Sequence, residues 1–173
     1  FYPQSVSGEM MRYFDLVDDM SMRMRGRWYI GEVLLPDGTE PELRGGIRLD
    51  DPIPLHASIT HIGYVLEWCH TSFGVPIATK ALADAIRSVV GPDVQCIPVT
   101  IGGQSGMMVL NALRVIRCVD EQRSEFQKFT EDDSVRPDLA GQYRSVSKLV
   151  LDKSAIPPDA HFFRIKDSWI ELI

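Results

Sequence analysis

The stretch Val94 to Val119, VQCIPVTIGGQSGMMVLNALRVIRCV, decides the fold. Val94–Ile101 is rich in β-branched residues, GGQSG (Gly102–Gly106) is a turn signal, and Met107–Val119 resumes an apolar pattern, so a β-hairpin is predicted. The second arm has a composition a helix would accept, but its β-branched content and the preceding glycine turn select a strand. Upstream, Val75-Pro76 leads into a predicted helix. Thr79 caps it, Leu82, Ala85, Ile86 and Val89 recur at helical spacing, and Gly91-Pro92 stops it.

Working toward the N-terminus, Tyr64–Cys69 (YVLEWC) reads as a strand, and the prolines before Ser58 are expected to keep regular structure out. Ile47–Leu49 fits either an edge strand or an irregular connection, between turn signals at Gly45-Gly46 and Pro36-Asp37-Gly38. Met20, Met22 and Met24 alternate with Arg23, Arg25 and Arg27 ahead of Trp28-Tyr29, which predicts a half-exposed extended segment whose methionines fill core. Met11–Val17 is a first strand, ended by Asp18-Asp19, and residues 1–10 read as a leader outside the domain of residues 11–173. Toward the C-terminus come a strand at Gln142–Leu151, a turn at Pro157-Pro158-Asp159, the run His161–Ile165 and the final WIELI. The expected architecture is α+β: one domain of mostly antiparallel or mixed β-sheet with one clear helix packed against it.

A chain of 173 residues buries enough surface to fold without metal or disulfide staples. No apolar run approaches the roughly 20 residues of a membrane span. Cys69, Cys96 and Cys118 are odd in number and widely spaced, so reduced, inert thiols of a cytoplasmic protein are expected. A net charge of -6 disfavours direct nucleic-acid binding, which draws on a surplus of Lys and Arg, and favours a cationic protein partner.

Catalytic signatures are weak. His56, His61, His70 and His161 form no HxH or HxxxH pair, and Cys69 and His70, adjacent on a strand, point to opposite faces. GGQSG lacks the Gly-Lys-Ser/Thr ending of a phosphate loop and opens into a strand, and the glycines around Ser105 do not have nucleophile-elbow spacing. No catalytic, metal or cofactor residue is assigned.

The segment Arg117–Asp152, RCVDEQRSEFQKFTEDDSVRPDLAGQYRSVSKLVLD, carries the function instead. Apolar alternation fails between Asp120 and Gln142, giving a polar insert too long for a tight connection. Its acids Asp120, Glu121, Glu125, Glu131, Asp132 and Asp133 lie among cations, which fits a solvated salt-bridged loop and a binding surface equally. As a binding surface it would be an acidic rim with Phe126 and Phe129 as anchors, although the same rings serve equally as core pins. Two rival readings remain: a small metal-dependent hydrolase built on the insert's carboxylates, and a self-associating module that pairs exposed strands.

Several motifs, in order, resemble the Imm11 family, formerly DUF1629. They are RYFDLVDD (12–19), RWYIGE (27–32), VPIATKALAD (75–84), DVQCIPV (93–99), CVDEQRSEF (118–126), FTEDD (129–133), RPD (136–138), GQYRSV (141–146), LVLD (149–152) and AHFFRIK (160–166). The resemblance implies an immunity protein of a bacterial polymorphic toxin system: a cytoplasmic, non-enzymatic antidote that binds the effector domain of a secreted or contact-delivered toxin. Toxins beside such families are often nucleases, which an acidic inhibitor suits. Members commonly continue past the WIELI-like strand into another helix, whereas this sequence ends at Ile173.

Overall fold

The computed structural model describes residues 12–19, 26–50, 54–72 and 74–173. The leader, Met11, the segment Met20–Arg25, Pro52 and Phe73 lie outside these residues, and with them most of the expected Met/Arg alternation. Among the described residues, eleven strands and one α-helix form a single α+β domain. The largest sheet has the order β1 (Tyr29–Leu34), β2 (Leu55–His61), β5 (Val94–Ile101), β6 (Gln104–Ala112), β4 (Pro76–Thr79), β3 (Trp68–His70). Among the described residues of this sheet only β2 and β5 pair in parallel, so the sheet is mixed.

This sheet curls. The Ser72 amide, just past the β3 edge, donates to the Ile30 carbonyl on the β1 edge at 2.9 Å, bringing the two edges together. The concave interior holds Trp28, Ile30, Leu55, Ile77, Ile97, Ile101 and Val109, each almost completely buried. On the convex face lies α1 (Lys80–Val90), packed with Ala78, Val94, Leu110 and Phe162.

The expected hairpin is present with a tighter turn. Ile101 faces Gln104, so Gly102-Gly103 alone form the loop, and their φ values of 54° and 83° are the left-handed pair that a two-residue turn of this hand requires. The second arm ends early, at Ala112 rather than Val119. Leu113 makes the last bond to the first arm, through the Asp93 carbonyl. Arg114 is then held by Asp93 (2.7 Å) and Asp159 (2.8 Å), and the chain crosses to a second sheet as β7 (Val115–Ile116). That sheet has the order β11 (Glu171–Leu172), β10 (Phe163–Ile165), β7.

The helix forms as expected, with the Thr79 hydroxyl accepting from the Leu82 amide and Gly91 (φ 60°) ending it. Its buried face is different: Ala83, Ile86 and Val90, while Ala85 is exposed and Val89 is 74% exposed. Apolar residues occupy more than one face of this helix, so spacing alone does not choose between them. Ala83 and Ala78 belong to one cluster, and small side chains there let α1 sit close to the sheet it follows without a loop.

Two further expectations are corrected. Prolines do not keep structure out as far as Ser58: β2 begins at Leu55, immediately after Pro54, where a missing amide at a strand's entry costs little. Tyr64–Cys69 is not one strand, because Tyr64 only bridges Arg27 and β3 starts at Trp68. Ile47–Leu49 is an irregular connection, riveted by Asn111 to the Ile47 carbonyl (2.8 Å) and by Gln95 to both backbone groups of Leu49 (3.0 and 2.8 Å). The described part of the first predicted strand is a short strap beside β11, with Phe14 and Ile173 exchanging both backbone hydrogen bonds. No helix among the described residues is long and apolar enough to cross a membrane.

Candidate binding surface

The polar insert is ordered. It contains β8 (Glu125–Lys128), which pairs antiparallel with β9 (Tyr143–Lys148) as a separate two-stranded ribbon. The missing apolar alternation has a simple cause: a ribbon with no sheet over its outer face buries only one side, here Phe126, Lys128 and Tyr143. Its base is clamped where Asp120 donates to Val150 (2.9 Å) and Asp152 to Cys118 (2.8 Å). The middle is tied to the body by the Tyr143 amide, which donates to the Asp167 carbonyl at 2.8 Å.

Most of the candidate acids have local partners. Asp120 accepts from the Arg123 side chain (2.6 Å) and from the Gln122 and Arg123 amides, and the Arg123 contact holds its carboxyl below the usual range. Glu121 is held low by Lys128 (2.7 Å) and then by the Tyr143 hydroxyl (2.5 Å). Asp133 accepts from the Arg136 and Val135 amides, which lower it, and pairs with Arg144 at 2.9 Å. Glu125 only approaches Lys148, at 3.9 Å. Glu131 and Asp132, in the connection from β8 to β9, are exposed and make no ion pair among the described residues.

The rim is therefore less acidic than expected. Between residues 117 and 148, Asp120, Glu121, Glu125, Glu131, Asp132, Asp133 and Asp138 face Arg117, Arg123, Lys128, Arg136, Arg144 and Lys148, one charge short of neutrality. The two phenylalanines are half-buried rather than free. Phe126 stands edge-on to Tyr143 at 5.1 Å, with Lys128 over both rings, and Arg144 lies 5.5 Å from the Phe129 ring. Phe129 also lines a notch with Trp169, Leu139 and Arg136.

Sequence reasoning missed a second constellation, a buried chain of ionic groups. Arg27 pairs with Asp18, Asp18 Oδ1 lies 2.7 Å from His70 Nδ1, and His70 Nε2 lies 3.7 Å from Glu171 Oε2. Glu171 Oε1 then accepts from Arg164 at 2.6 and 2.7 Å, and Arg164 donates to the Leu43 carbonyl. Arg164 and Glu171 are 3% and 1% exposed. Burial pushes the His70 imidazole down, but Asp18 and Glu171 outweigh it and raise it to about 9. For Asp18 burial raises the carboxyl, and the bonds from His70 and Arg27 bring it below the usual range. The signal in the sequence was one charge inside each of two apolar runs, FFRI and WIELI.

This chain links the N-terminal strap, β3, β10 and β11, which is a structural office. Cys69 points away from it into the concave core, and burial pushes its thiol up to about 12, so Cys69 and His70 form no dyad. Burial likewise raises Cys118 to about 11 and raises Cys96. Among the described residues no three His, Cys, Asp or Glu side chains gather in a way that would hold a metal ion. Compared with known proteins, the chain matches no family model and no curated sequence.

Proposed function

We propose that this chain is a stoichiometric inhibitor of the Imm11 immunity type, which neutralises a cognate bacterial toxin in the cytoplasm by covering its effector domain. The observation that supports this most is the β8–β9 ribbon. It stands outside both larger sheets, presents half-exposed Phe126 and Phe129 beside cations, and leaves Glu131 and Asp132 unpaired. Aromatic rings already fixed by their neighbours lose little freedom on docking, and such residues dominate protein interfaces. With the ribbon close to neutral, anchoring by rings carries more of the affinity, and steering falls to Glu125, Glu131, Asp132 and the overall charge of -6. A cationic nuclease cleft is the complementary partner.

Enzymatic use of the insert is the weaker reading, because a hydrolase needs carboxylates converging on one point, and Asp120, Glu121 and Asp133 are each paired with a separate neighbour. Co-expression with the effector domain encoded beside this gene tests the proposal. Growth should be rescued and the two chains should co-purify, and both effects should fail for Phe126→Ala/Phe129→Ala with its fold intact. Equal killing with and without the wild-type chain would overturn the reading.

A further inference from the structure

We infer that the ribbon takes its partner by strand addition: the outer edge of β8 pairs with an extended segment of the partner protein in which apolar and basic residues alternate. This rests on the ribbon being the binding face proposed above, and it adds how that face reads its target. Phe129 directs both backbone groups toward β9, its amide donating to the Gln142 carbonyl and its carbonyl accepting from the Gly141 amide. Directions alternate along a strand, so Glu125 and Gln127 point the same way, and Phe126 and Lys128 turn their amides and carbonyls outward. The Tyr143 amide, opposite Lys128, points away from β8 and meets the Asp167 carbonyl at 2.8 Å. β9 therefore lies against the body, and β8 is the outer strand. Among the described residues no group hydrogen-bonds to the outward backbone of Phe126 or Lys128.

Edge strands are ordinarily protected by a proline, a bulge or a lysine held out over the edge. The sequence of β8, EFQK, contains no proline. Both irregularities of the ribbon fall on β9: from Glu125 to Phe126 the facing residue moves from Lys148 to Val146, and from Gln127 to Lys128 it moves from Ser145 to Tyr143, so β8 itself stays regular. Its lysine is folded back, with Nζ 2.7 Å from Glu121 and over the Phe126 and Tyr143 rings. The two faces of this edge set the partner's sequence. A strand laid beside β8 places alternate side chains next to the half-buried Phe126 ring, which takes an apolar neighbour, and the others next to exposed Glu125 and Gln127. Glu125 only approaches Lys148, at 3.9 Å, so a cation on the partner complements it. Exposed Glu131 and Asp132, just past the end of β8, extend the same preference.

Backbone pairing supplies the affinity in this mode, and the alternating side chains supply the choice of partner. The test uses the full chain and the purified effector domain encoded beside its gene. On forming the complex, hydrogen exchange read by NMR should slow by about tenfold or more at the Phe126 and Lys128 amides. Lys128→Pro should bind about tenfold more weakly than Lys128→Met, because both lose the ammonium group and only proline lacks the outward amide. That amide points away from β9, so proline there removes no bond within the ribbon. Exchange in the wild-type complex is read independently of how either variant folds. Unchanged exchange at both amides in a complex that does form, or equal affinities of the two variants, would overturn the inference and leave the inhibitor reading standing. If no complex forms, that reading fails, and this inference fails with it. Dimerisation of the chain alone, abolished by Lys128→Pro and kept by Lys128→Met, would assign the edge to a second copy and also overturn it.

Discussion

Raising the pH from 6 to 9 should remove about 3 kcal/mol of stability through one side chain, His70. Its imidazole lies between the Asp18 and Glu171 carboxylates, which raise it from 6.5 to about 9. Each pKa unit corresponds to roughly 1.4 kcal/mol, so the protonated ring contributes about 3 kcal/mol when fully present. Because the folded value lies above the unfolded one, that contribution is complete below pH 6.5 and is lost as the pH rises through 9. A neutral ring leaves the buried Glu171 carboxylate with Arg164 as its cation, and its Oε2 without a hydrogen-bond partner. The assay is urea denaturation at pH 6, 7.5 and 9 for the wild type and His70→Gln. Stopping at pH 9 keeps the raised thiols of Cys69 and Cys118 protonated in the folded state, and subtracting the variant's profile removes what they and other groups add. The wild type should lose about 3 kcal/mol more than the variant, whereas parallel profiles would refute the argument.

Other substitutions test the packing. Trp28→Ala should cost about 3–5 kcal/mol, since the ring is 3% exposed in the concave core. Trp169→Ala should cost only about 1–2 kcal/mol, because that ring is half-buried with Arg44 stacked 3.8 Å from its centre. Equal shifts in denaturation midpoint would contradict both assignments. Arg164→Met strands Glu171 in the core and should cost about 3–5 kcal/mol, and a neutral result would mean that water reaches the pair. Gly74→Ala should destabilise by about 1–3 kcal/mol, since φ is 77° and a Cβ would lie 2.6 Å from the Trp169 ring; an unchanged midpoint would show that the ring yields.

The parts of the fold legible in the sequence were those fixed by local chemistry. Thr79 and Gly91-Pro92 mark a cap and a stop where they were read, and the turn lies at Gly102-Gly103, inside the longer GGQSG stretch that was read as the turn. What failed depended on distant neighbours. Ala112 ends a strand because Arg114 finds Asp93 and Asp159, and Val89 faces water because Ala83 meets the sheet instead. β2 was hidden behind a cluster of prolines that in fact ends before it starts. In the candidate surface the residue types were visible, but their pairing was not. Asp120 and Glu121 are neighbours in sequence, yet one is matched three residues away and the other across the ribbon to Tyr143. The ionic chain from Arg27 to Arg164 joins residues over 130 positions apart, beyond the reach of any local pattern.

Under the proposed function the chain inhibits by occupying its target, one copy for one copy. Titrating the purified chain into a fixed amount of active effector domain from the neighbouring gene tests this most directly. Residual toxin activity should fall linearly and reach its floor at one molar equivalent, and Phe126→Ala/Phe129→Ala should flatten that break. Loss of activity at a small fraction of an equivalent, progressing with time, would reveal turnover and contradict the account.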